Sequence, residues 1–179
     1  MKSNLAYVLT IFTLVIALPA AAQMAPPQPL QDDLYEWMAG EWEGTTESPM
    51  GKAADEMKVD WDLDHQFLNF HYKSKIGEGS TAMTYKGQGM MTVNPQTQEY
   101  VGYWFGSFRD ISVGKGTRTG NKITMTWDGP TGSETRTMEK VAEDKWVMAF
   151  KGKGPDGSET TGATTLTRKM KKEKGAKKS

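Results

Sequence analysis

The chain has 179 residues, no cysteine, 22 basic and 22 acidic side chains, and 37% hydrophobic residues. Without cysteine there is no disulfide, thiolate metal site, thiol nucleophile or lipoprotein attachment thiol, so the fold must be held by packing. The length suits one domain, and the balanced charge conceals a basic carboxyl end set against an acidic body.

At the amino terminus Lys2 precedes an apolar run from Leu5 to Leu18, and Ala20-Ala21-Ala22 follows. This is the pattern of a secretory signal with a small-residue cleavage site, which predicts a signal peptide over 1–22. The run is too short for a membrane span of about 20 residues, so no stable membrane anchor is expected. A cysteine-free exported chain fits a bacterial periplasm. The Pro/Gln-rich stretch after the cut predicts a flexible linker over 23–30.

Gln31 to Met38 places Leu34, Trp37 and Met38 on one helical face, with acids in the first turn and Gly40 past the end. One short amphipathic helix is expected there, and none after residue 40. From Glu41 the apolar residues alternate: Met57, Val59, Trp61, Leu63; then Leu68, Phe70, Tyr72; later Ile123, Met125, Trp127 and Trp146, Met148, Phe150. Turn signals recur at Pro49-Met50-Gly51, Asp64-His65, Gly77-Glu78-Gly79, Asn94-Pro95, Arg109-Asp110, Gly120-Asn121, Gly129-Pro130, Glu143-Asp144 and Pro155-Asp156-Gly157. They divide the chain into ten strands joined by short turns. An all-β, antiparallel up-and-down meander of that length removes its two edges by closing, so a barrel domain over 31–168 is predicted, with a two-sheet sandwich as the other possibility. Glycines at Gly87, Gly89, Gly102, Gly106, Gly114 and Gly116 are expected where the curved sheet bends. From Arg168 the chain carries seven basic residues against Glu173 alone. Residues 169–179 are therefore expected to form a solvated, disordered basic tail, with no nucleic-acid partner implied.

Gly40-Glu41-Trp42, leaving the helix for the first strand, resembles the G-x-W signature of the lipocalin and fatty-acid-binding superfamily, the calycins. That resemblance implies a lipocalin-like barrel in which a basic residue of the last strand, here Arg168, packs over Trp42 by cation–π stacking at the closed end. Trp61-Asp62-Leu63 with Phe67-Leu68, Gly87-Gln88-Gly89 leading to Asn94-Pro95, and Tyr100-Val101-Gly102-Tyr103-Trp104 are similar to an exported bacterial family, domain of unknown function number fifteen seventy-nine, over about residues 30 to 169. The family implies no established reaction. Asp64-His65-Gln66 stands where it usually has a Gly-Gly turn and Asn94 where it has an Asp, so no binding role is carried over to these turns. Gly40-Trp42-Gly44 also matches the opening of the nitrobindins, but with no histidine after His71 their mode of haem binding is not implied.

Both histidines fall in the segment Asp60 to His71. Asp60, Asp62 and Asp64 copy the first ligand positions of a calcium loop, yet His65 replaces its glycine and His71 its bidentate glutamate, so no metal site follows. No serine sits in a nucleophile elbow, and Gly114 to Gly120 lacks the ending of a phosphate loop. No motif calls for a cofactor. What remains is the aromatic and methionine-rich interior. Trp61, Phe70, Tyr85, Trp104, Met125, Trp127, Met148 and Phe150 are the candidates for a lining that takes a small hydrophobic molecule without catalysis. Whether they line a cavity or fill the barrel is open at this level. So are an isomerase or hydrolase using barrel acids or the Asp/His cluster, and an envelope protein-interaction module.

Overall fold

The computed structural model describes residues 27–170; the segment expected to be a signal peptide and most of the segment expected to be a basic tail lie outside this range. Helix α1 (Asp33–Met38) leads into ten strands: β1 Gly40–Ser48, β2 Gly51–Asp62, β3 Phe67–Ile76, β4 Met83–Val93, β5 Tyr100–Gly106, β6 Ile111–Thr119, β7 Lys122–Gly129, β8 Gly132–Ala142, β9 Lys145–Lys153 and β10 Glu159–Arg168. Each strand pairs antiparallel with the next, and β10 returns to β1, closing the barrel. Closure leaves no unpaired edge, which is how a long meander of apolar-faced strands escapes edge-to-edge association. Beyond α1, the one helical turn among the described residues is a 3₁₀ turn at Gly79–Thr81, which the sequence did not signal.

Helix α1 stoppers one end. Asp32 caps it, its Oδ1 accepting from the Leu34 and Tyr35 amides at 2.9 Å each. Arg118, from the end of β6, donates to Asp32 and Asp33, and the Tyr100 hydroxyl donates to Asp32. Leu34, Tyr35, Trp37 and Met38 are buried against the barrel. Trp37, Trp42 and Trp146 meet edge to face or tilted, with ring centroids 5.0–5.9 Å apart. Arg168, paired in register with Trp42, lies 4.1 Å over the Trp42 ring and donates to the carbonyls of Ala39, at 2.8 Å, and Trp37. Gly40 is obligatory here: its φ is 137°, and a Cβ would sit 2.5 Å from Arg168 Nη1. Above this layer Val59, Phe70, Met125, Met148 and Leu166 fill the middle of the barrel.

One local expectation needs correction. β2 ends at Asp62, and Leu63, Asp64 and His65 all take positive φ (48°, 55° and 64°) in the turn to β3. Leu63 therefore leaves the inward alternation and is exposed. Residues 27–30, read as linker, run along this turn: Leu30 N donates to the His65 carbonyl, and Gln66 Nε2 to those of Pro27 and Gln28.

Candidate functional site

The end of the barrel away from α1, ringed by the β1–β2, β3–β4, β5–β6, β7–β8 and β9–β10 turns, is built differently. Two glycine pairs shape it. Trp104 lies along the inner wall over Gly87 and Gly89, where added Cβ atoms would come within 2.2 and 2.5 Å of its ring. Trp127 lies over Gly102 and Gly114 in the same way, with clearances of 2.9 and 2.6 Å. Phe150 covers Gly162. Each large ring occupies the place of missing side chains on the inner wall. The glycines thus seat aromatic panels as well as permitting the sheet to bend.

Polar groups stand among these panels. Asp55, 2% exposed, occupies an inward position of β2. Thr46 donates to its Oδ2 at 2.6 Å and the Tyr72 hydroxyl to its Oδ1 at 2.7 Å. With its proton committed to Asp55, Thr46 accepts from Thr164 at 2.6 Å. Burial foremost, then the bond to Asp55 and the Asp55 charge, pushes the Tyr72 hydroxyl up to about 12. On the neighbouring strand β4, with its ring 6.2 Å from that of Tyr72, Tyr85 donates to Asp110 Oδ2 at 2.7 Å and accepts from Trp104 Nε1 at 2.8 Å. Its hydroxyl is likewise pushed upward, burial again being the main cause. Asp110 sits inside Gly106, and Phe108 of the same turn packs on Tyr85 at 5.4 Å, so the β5–β6 turn leans over the mouth.

Arg136, in register between Met125 and Phe150, points inward from β8. Its Nε donates to Glu134 Oε1 at 2.7 Å, and its guanidinium lies 5.3 Å over the Phe150 ring. Although both side chains project into the barrel, 31% of Arg136 and 30% of Glu134 remain accessible.

The eight sequence candidates therefore divide. Phe70, Met125 and Met148 are buried in the filled middle, and Trp61 lies beneath α1, stacked on His65 at 3.8 Å and bonded to Glu36. Tyr85, Trp104, Trp127 and Phe150 stand in the half away from α1. The Asp/His segment does not converge: Asp60 pairs with Lys58, His65 with Glu36, and His71 with Asn69 on the outer wall. Among the described residues no group of three His, Cys, Asp or Glu could hold a metal ion. A groove of about 700 Å³ also lies outside the β2–β4 wall, lined by Lys58, His71, Lys73 and Lys86 among others, but it is a shallow surface feature of mixed polarity. Asp55, Glu134 and Arg136 were missed from the sequence, although each occupies the inward parity of its strand beside an apolar residue.

Comparison with known proteins agrees with this architecture. Among solved structures the chain is similar to the S-type phycobiliprotein lyase CPES from Guillardia theta, at 11% identity and TM-score 0.60 over 78% of this chain and 93% of that one. It is similar to Rv2717c from M. tuberculosis at 14% identity and TM-score 0.59, over 79% and 100%. At such identities the likeness concerns the fold alone, a closed lipocalin-like barrel. No curated protein matches the chain in sequence. The family model described as Protein of unknown function (DUF1579) matches residues 31–169, from the cap of α1 to the end of the closing strand, and the chain belongs to that family.

Proposed function

We propose that this protein is an exported, non-catalytic binding barrel that takes a small, predominantly apolar molecule in the half away from α1. The observation that carries the reading is the wall itself. Trp104, Trp127 and Phe150 lie over inward glycines, and Arg136 and Glu134 stay accessible inside the barrel. Aromatic faces with a few convergent polar groups are the usual make-up of a small-molecule pocket. The filled middle supplies a floor and the β5–β6 turn overhangs the entrance. Export rests on the signal pattern of residues 1–22.

Native mass spectrometry of the full-length gene product, recovered from the periplasm of an expressing bacterium without denaturation, tests both parts. A chain beginning at Gln23 and carrying a retained small molecule supports the reading. An unprocessed chain overturns the export reading. A bare chain that also fails to bind the neutral dye N-phenylnaphthylamine overturns the binding reading.

A further inference from the structure

The polar groups inside the barrel also say what kind of apolar molecule fits, an inference that rests on the binding-barrel reading. Among the described residues, the half of the barrel away from α1 holds three carboxyl groups, on Asp55, Asp110 and Glu134, and one guanidinium, on Arg136, at inward positions or inside the β5–β6 turn. Asp55 already accepts from Thr46 and Tyr72, and Asp110 from Tyr85. Neither hydroxyl proton of the two tyrosines is left to offer. Asp110 Oδ1 and Trp127 Nε1 also lack a partner, but both atoms are sealed from solvent; Arg136 and Glu134 differ in being partly accessible, and they meet through Nε and Oε1 alone. Among the described residues no protein acceptor meets Nη1 or Nη2, and no donor meets Glu134 Oε2. Both side chains stand at inward positions of β8 and are about one-third accessible, which leaves the pair within reach of a ligand.

A donor edge beside an acceptor oxygen, once a ligand covers them, binds best to a group carrying the opposite pattern, since covering either without a partner costs more than pairing it gains. An anionic ligand would satisfy the guanidinium but would enter a space with an excess of carboxyl groups. A cationic ligand would meet Arg136. A pure hydrocarbon would strip water from both members of the pair and return nothing. An uncharged carbonyl next to an N–H satisfies both, the carbonyl accepting from the Arg136 terminus and the N–H donating to Glu134. The rings that flank the pair, Phe150 under the guanidinium and Trp127 in register with Glu134, favour a flat molecule.

We propose that the half away from α1 recognises an uncharged, planar heterocycle carrying a cyclic amide edge, with Arg136 and Glu134 reading that edge and the aromatic panels holding the ring faces.

Three compounds sharing one fused-ring skeleton test this: phenanthridinone, which carries the amide edge, phenanthrene, and phenanthrene carboxylate. Each is titrated against the folded protein by calorimetry or tryptophan quenching. Phenanthridinone should bind at least about tenfold more tightly than either relative, the scale of a hydrogen bond to a charged group. In the double variant Arg136→Met with Glu134→Gln, which leaves no uncompensated charge, that preference should fall to within about twofold. Arg136→Lys, which keeps the charge but loses the planar donor edge, should lose most of it as well. Circular dichroism confirms that each variant is folded. Equal binding of all three compounds, or a preference unchanged in both variants, overturns the amide-edge inference and leaves the binding barrel standing. Tighter binding of the carboxylate replaces the inference with an anion site. Failure of all three and of N-phenylnaphthylamine falls instead on the binding-barrel reading.

Discussion

Arg168 joins parts of the chain that are far apart in sequence through one side chain. Its guanidinium covers Trp42 and bonds the carbonyls of Trp37 and Ala39, which the short helix cannot satisfy itself. Arg168→Met removes the stacking and both charge-assisted bonds together, and a loss of about 3 kcal/mol in urea unfolding is expected. Arg168→Lys keeps the charge without the fork and should recover less than half of it. The β2–β3 turn offers the opposite case. Leu63 is exposed at φ 48°, a region disfavoured for a residue with a Cβ, and its side chain contributes little there. Leu63→Gly is expected to stabilise the protein by about 1 kcal/mol, seen as a raised urea midpoint at unchanged slope. Loss of stability would mean that the turn depends on a contact of the leucine.

At the level of strands and helix, most of the architecture was legible because two periods carry it. Alternation marked β2, β3, β7 and β9, and the cap, acids and glycine around α1 marked its two ends. What escaped did so for identifiable reasons. Leu63 continued the inward parity of β2, but the chain had already reversed at Asp62, since turn chemistry outranks alternation once the ladder ends. Asp55 and Arg136 escaped because a search for alternating apolar residues treats a charge as an interruption, whereas a polar pocket requires one on the same parity. Local patterning showed which residues face inward; it did not show that Trp104 would lie over Gly87 rather than point along the axis, because that depends on a pairing between β4 and β5. Gly87→Ala tests that seating. A methyl group 2.2 Å from the indole must displace it, so a loss of about 1–3 kcal/mol is expected, with a changed near-ultraviolet tryptophan signal. Ala at Gly120, which faces open space, gives the contrasting case of pure backbone strain at φ 59°, with that signal unchanged.

For the whole molecule, the buried tyrosines tie stability to alkaline pH. Tyr72 keeps its proton to about 12 in the folded barrel against an ordinary 10.0, and Tyr35, Tyr85 and Tyr100 are also shifted upward by burial. Between those values the folded state binds more protons than the unfolded chain, so their contribution is complete below pH 10 and declines as pH rises through 12. Alkaline titration should show part of the phenolate absorbance appearing late and together with the loss of β-sheet dichroism. In Tyr72→Phe the late component should shrink. Full phenolate absorbance before any unfolding would contradict the burial of these hydroxyls.

The pairing of β1 with β10 has one more consequence, and it concerns time. The first strand to leave the ribosome finds its second neighbour only when the last strand has emerged, and the residue that clamps the stoppered end is the final one of that last strand. Until then the nascent chain is an open curl with a free edge on each side, unable to complete its native contacts however long it waits. Such a chain is held back from premature folding by its own topology, and a truncation before Arg168 would prolong that unfinished, aggregation-prone state indefinitely.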